Sequence, residues 1–84
     1  MKANERKAFN ELKAIGAPVI ERPEGDGDGP FVLSAEDNDS RIWADYYSPE
    51  FGLFGVAQDV TDILESNGLF AEWINPGMVG VYQA

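Results

Sequence analysis

Cysteine and histidine are both missing from the 84 residues, and basic residues are scarce: six Lys and Arg stand against fifteen Asp and Glu, a net charge of −9. Without thiols there is no disulfide, no thiolate zinc site and no sulfur nucleophile, and an oxidising compartment is not required. Without imidazole, the commonest proton shuttle near neutral pH is gone as well. No run of eighteen apolar residues occurs, and no apolar stretch follows Met1 and Lys2. The expectation is a soluble, cytoplasmic chain with neither membrane span nor signal peptide.

These gaps weigh against an enzyme. Paired carboxylates could still cleave glycosides, but that chemistry needs a cleft between two positioned acids, and a domain of this size has little volume for one. Asp45 beside Tyr46 is the only pairing of interest, and neighbours on a strand point to opposite faces. Glu24 to Pro30 alternates Gly with acid. A calcium-binding EF-hand loop needs oxygen ligands at its first, third and fifth positions, a Gly at the sixth and a Glu at the twelfth, and no register here completes that pattern. Asp37-Asn38-Asp39 fails too, because Arg41 occupies the fifth position. The same loop speaks against a phosphate cradle, with Asp standing where Lys and open amides are wanted. No metal and no cofactor is expected.

What is present is an uneven field. The first thirteen residues carry four basic and two acidic groups, leaving +2; the remainder carry two against thirteen, leaving −11. Such a field repels nucleic acid and anionic membrane and speeds encounter with basic protein surfaces. Direct nucleic-acid binding would need a basic stripe that is not there.

Residues 1–84 read as one α+β domain. Ala3 to Ile15 is a helix with Ala8, Phe9, Leu12 and Ile15 on one side, Asn4 as its cap, and Gly16-Ala17-Pro18 as its end. Val19 to Arg22 is a short edge strand stopped by Pro23. Phe31 to Glu36 and Arg41 to Tyr47 alternate as strands about an Asp37–Ser40 turn. Val56, Val60, Ile63 and Leu64 share one face of a second helix, which Gly68 ends in the left-handed conformation while Leu69 folds back on it. Leu53 and Phe54 are expected to tuck beneath that helix. Leu69–Ile74 and Met78–Tyr82 form a hairpin about Asn75-Pro76-Gly77, with Gly77 at positive φ. The order α-β-β-β-α-β-β implies two layers: a four- or five-stranded antiparallel sheet with both helices on one face.

The other face would then be open. Alternation sends Phe31, Leu33, Ala35, Ile42, Ala44, Tyr46, Leu69, Ala71 and Trp73 inward, and sends Val32, Glu36, Trp43, Asp45, Tyr47, Phe70, Glu72 and Ile74 outward. Aromatics mixed with acids suit a protein-binding surface. Asp26, Asp28, Asp37, Asp39, Glu50, Asp59 and Asp62 stand around it, with Asp59 and Asp62 neighbours on one helix face. The residues expected to bind a partner are Asp37, Asp39, Trp43, Asp45, Tyr47, Asp59 and Asp62. The acids would occupy a Lys- and Arg-lined groove that otherwise grips phosphates, as on a nucleic-acid-binding enzyme, and the aromatics would anchor the contact. In size and sign of charge the chain resembles small phage and plasmid proteins that inhibit host defence enzymes, anti-CRISPR and anti-restriction proteins among them. That resemblance is one of overall character and assigns no site. The expected function is a non-catalytic acidic protein-binding module; the alternative is a structural or accessory protein that forms a homodimer through the open face.

Overall fold

The computed structural model describes residues 1–23, 27 and 29–84. Asp26 and Asp28, and with them the reading of that loop as acidic and cation-free, lie outside the described residues. Helix α1 spans Ala3–Ala14, strand β1 Val19–Glu21, β2 Phe31–Ser34, helix α2 Gln58–Ser66, β3 Leu69–Asn75 and β4 Met78–Gln83. The strands form one antiparallel sheet in the order β1-β2-β4-β3. Ala8, Phe9 and Leu12 of α1 and Val60 and Leu64 of α2 share a single core with Phe31, Leu33, Val79 and Val81, so both helices cover the same face. The two-layer α+β architecture is the expected one. No helix among the described residues is long and apolar enough to cross a membrane.

Several local expectations hold for the physical reasons given. Gly68 has φ +73° after α2, and Leu69 is buried directly behind it. Leu69, Ala71 and Trp73 face the core, and Phe70 lies exposed on the other side. Gly77 differs: its φ is not positive, and the Glu36 side chain lies over the place a Cβ would take. The turn is closed by the Gly77 amide donating to Asn75 Oδ1 at 2.9 Å. A bulge between Trp73 and Asn75 precedes it.

The N-terminus of α1 is capped by Lys2, whose backbone N–H donates to Glu5 Oε1 at 2.7 Å, and not by Asn4. Asn4 instead reaches across the fold, donating from Nδ2 to the Asn67 carbonyl at 2.9 Å and to Gln83 Oε1 at 3.0 Å. Ile15 falls at the helix end and is exposed rather than packed. Burial raises the Glu5 pKa, but hydrogen bonds from Gln83 and the Lys2 amide, with the nearby positive charges of Lys2 and the chain terminus, bring it below its ordinary value.

The principal correction concerns Arg41–Tyr47, which is not a strand. β2 already has β1 on one side and β4 on the other, so neither of its edges can accept a further partner. The segment is instead folded back by Asn38, whose Oδ1 accepts from the Trp43 amide at 3.0 Å while Nδ2 donates to the Ala35 carbonyl at 3.0 Å. None of the expected pairing with β2 forms among the described residues; Ala44 instead makes an isolated bridge with Val56. Facing changes in part: Trp43 is 3% exposed and lies in the core, and Ile42 and Tyr46 are exposed, while Ala44 is buried and Tyr47 exposed as alternation expects. Trp43 therefore cannot serve as an outward anchor.

The face away from the helices is also less open than alternation implies. Val32 is on it and is fully buried. Its partner on β4 is Gly80, where a Cβ would stand 2.5 Å from the Tyr82 hydroxyl and 2.9 Å from the ring; the tyrosine lies along the strand and covers this place. Phe70 packs on Tyr82 with ring centres 5.7 Å apart.

Candidate functional site

The long connection between β2 and α2, residues 35–57, carries most of the expected binding residues, and Trp43 roots it in the core. The Trp43 carbonyl accepts from the Ala57 amide at 2.9 Å, and the Asp45 amide donates to the Gly55 carbonyl at 2.7 Å, so the two ends of the excursion are stitched together. Above the indole lies the Arg41 guanidinium, 4.0 Å from the ring centre. Arg41 in turn grips Asp59 of α2 through two parallel hydrogen bonds of 2.8 and 2.9 Å. The fork matches a carboxylate and is a strong arrangement for an exposed pair. Hydrogen bonding from Arg41 holds the Asp59 carboxyl below its ordinary range, and the same bond raises the guanidinium. Asp59 thus serves chiefly to fasten the connection to α2.

The remaining expected acids point outward. Asp37 and Asp39 are exposed in the turn after β2. Asp62 is exposed on α2 and accepts one hydrogen bond from Gln58 at 2.9 Å. Asp45 is half-buried and accepts the Tyr47 amide at 3.0 Å, a turn that leaves the Tyr47 ring 79% exposed. The structure therefore brings together Asp45 with Tyr47, and Trp43 with Asp59 through Arg41, while Asp37 and Asp39 form a separate outward turn.

An aromatic group that sequence reasoning missed continues from Tyr47. Tyr46 stands edge-on to both Tyr47 and Trp73, at 5.4 and 5.3 Å between centres. The Trp73 indole donates to the Phe54 carbonyl at 2.8 Å. Phe54, expected beneath α2, is instead 73% exposed, and Leu53 is exposed beside it. Phe54 also has φ +53°, a conformation that disfavours a bulky side chain, so the connection holds a strained aromatic out in solvent. Glycines on both sides, Gly52 and Gly55, were the available signal.

Phe54 forms one wall of a groove of about 380 Å³ whose other wall is α2 at Leu64 and Glu65 and whose floor is β3 from Leu69 to Trp73. No basic residue lines it. Among the described residues no group of three or more metal-ligating side chains is found. The arrangement suits non-covalent contact with a surface or chain segment: apolar area for burial, flanked by carboxylates. Comparison with protein-family models, with curated proteins and with solved structures finds no match to this chain.

Proposed function

We propose that this chain is a non-catalytic, acidic protein-binding module that inhibits or regulates a partner by occupying a basic, nucleic-acid-handling surface, as an anti-defence protein of a phage or mobile element would. The observation that carries the reading is how many acids of the described residues stand exposed without a basic partner among them. Arg6 pairs with Glu21 and Arg41 with Asp59. Asp37, Asp39, Glu50, Asp62, Glu65 and Glu72 are all exposed, and none has a Lys or Arg partner among the described residues. Exposed aromatic rings stand among these acids, supplying the area that charge by itself does not.

The homodimer reading has less support. On the face away from the helices, the large exposed apolar side chains are Ile20 on β1 and Phe70 on β3, the two outermost strands. Strand spacing puts them roughly 14 Å apart. They do not make one patch.

The test is affinity capture from a bacterial lysate at low salt, followed by elution and competition. Screening shortens from about 10 Å at 0.1 M to about 3 Å at 1 M, so a charge-driven partner should leave in high salt and be displaced by duplex DNA. Replacing Asp37, Asp39 and Asp62 together with Asn should lower its capture. Retention that ignores salt, DNA and these substitutions would refute the proposal.

A further inference from the structure

Strand β3 is seven residues long and has β4 on one side only. The phase of its hydrogen bonds follows from the Ala84 amide, which donates to the Gly68 carbonyl at 2.9 Å. In an antiparallel ladder the residues that bond inward alternate, so Gly68, Phe70 and Glu72 turn their backbone groups to β4, while Leu69, Ala71 and Trp73 turn theirs to the outside. Leu69 is buried, but Ala71 and Trp73 are partly exposed, and their outward N–H and C=O groups have no strand partner among the described residues. The groove between α2 and Phe54 runs along this same edge.

We infer that the outer edge of β3 receives an extended segment of a partner protein as an added strand, with Lys or Arg alternating with apolar residues in that segment. The inference rests on the reading of the chain as an acidic protein-binding module and names where and how one partner segment sits. The geometry dictates the alternation. In an added strand, side chains facing the helices enter the groove against Leu64, Trp73 and Phe54, which is apolar. Side chains facing the other way lie beside Phe70 and Glu72, and the one opposite Glu72 is best matched by a cation. Glu65 at the lip of the groove adds charge of the same sign.

A second copy of this chain is a poor occupant. Antiparallel pairing of two β3 edges about the exposed stretch brings the two Glu72 carboxylates together, and each molecule carries −9. The bulge near the end of β3 twists the edge away from flat self-pairing.

The experiment titrates the full chain, labelled with nitrogen-15, with a short capped peptide that alternates lysine and valine. The expected result is saturable shifts of the Ala71 and Trp73 amides and of the Trp73 indole. Two perturbations isolate the strand geometry. The Ala71→Pro variant removes an outward N–H without touching the β3–β4 ladder, and the peptide methylated on alternate backbone nitrogens loses the matching donors. Each should weaken binding by about tenfold, the loss of one or two edge hydrogen bonds. A third, Glu72→Lys, alters an exposed side chain and should transfer preference to the same peptide with glutamate for lysine. Binding that is salt-sensitive but indifferent to Ala71→Pro and to methylation, with shifts at Asp37, Asp39 and Tyr47, would overturn strand addition and leave the acidic module standing. Failure of the lysine peptide to bind would overturn strand addition, while the capture experiment separately decides the broader reading. Shifts at Ala71 and Trp73 that follow the protein's own concentration would mean that a second copy is the occupant, against the inference.

Discussion

Replacing Trp43 with alanine separates a core residue from a binding anchor. Trp43 is 3% exposed and packs in the core shared by both helices. Burying a tryptophan removes roughly 200 Å² from water, about 5 kcal/mol at 25 cal/mol per Å², an upper value because unfolded chains are partly compact. Measured losses for buried aromatic-to-alanine changes run about 3–5 kcal/mol, and the Arg41 stack adds about 0.5–1 kcal/mol. A chain of 84 residues has a total stability of roughly 4–13 kcal/mol, so Trp43→Ala should be marginal or unfolded. The assay is urea denaturation, with emission from Trp73, the other of the two tryptophans, as reporter in the variant. With a urea slope of about 1–1.5 kcal/mol per molar, the midpoint should fall by about 2–5 M, or the folded baseline should vanish. Trp43→Phe keeps a ring in the site and should lose about 1–2 kcal/mol, leaving a folded protein. A loss under about 0.5 kcal/mol on Trp43→Ala is the behaviour of a surface residue and would refute the burial argument together with the folding back of residues 41–47.

The acid response follows from two depressed carboxyls. Asp59 and Glu5 have folded-state pKa values below 3.8 and 4.5, so their stabilisation is full above those values and is lost as pH falls through the folded ones. Urea midpoints at pH 7 and pH 3 should therefore differ, and Arg41→Gln should narrow the difference by less than about 1 kcal/mol, because the pair is nearly half exposed and screened. A wider difference in that variant would contradict the assignment. Phe54→Asn should stabilise the fold by about 0.5–1 kcal/mol, since asparagine tolerates the left-handed conformation better, yet it should weaken lysine–valine peptide binding by removing a wall of the groove. Thermal melts and the peptide titration measure the two effects, and a drop in melting temperature would show that the Phe54 ring packs into the fold.

How much was legible in the chain divides along the range of the interactions. The β3–β4 hairpin, the end of α2 at Gly68 and both amphipathic helices were readable because each depends on residues within a turn or two of one another. Arg41–Tyr47 alternated as well as Phe31–Glu36 did, but pairing is a contest for edges, and β4, over forty residues away, took the free side of β2. With that edge gone, Asn38 and the core claimed Trp43, which left the expected outward set, while Tyr47, Phe70 and Glu72 kept their exposure. Phe54 was hidden for a related reason: an exposed aromatic is improbable from composition, and its position depends on the Trp73 indole holding its carbonyl.

The two outer edges of this sheet differ in the backbone they offer to an added strand. β1 is three residues long and is followed by Arg22 and Pro23, so it presents little backbone and the chain just beyond it meets a residue without an N–H. β3 is more than twice that length, has no proline within it, and lies beside an apolar groove. Edges of this kind invite aggregation unless something selects against like molecules. Here the selection would be electrostatic: Glu72 on the strand, Glu65 on the helix beside it and a net charge of −9 oppose a second copy and would favour a lysine- or arginine-bearing strand. On the proposed reading, the acidic surface and the free edge of β3 would be two parts of one recognition device, the first choosing which protein approaches and the second fixing how its chain is held.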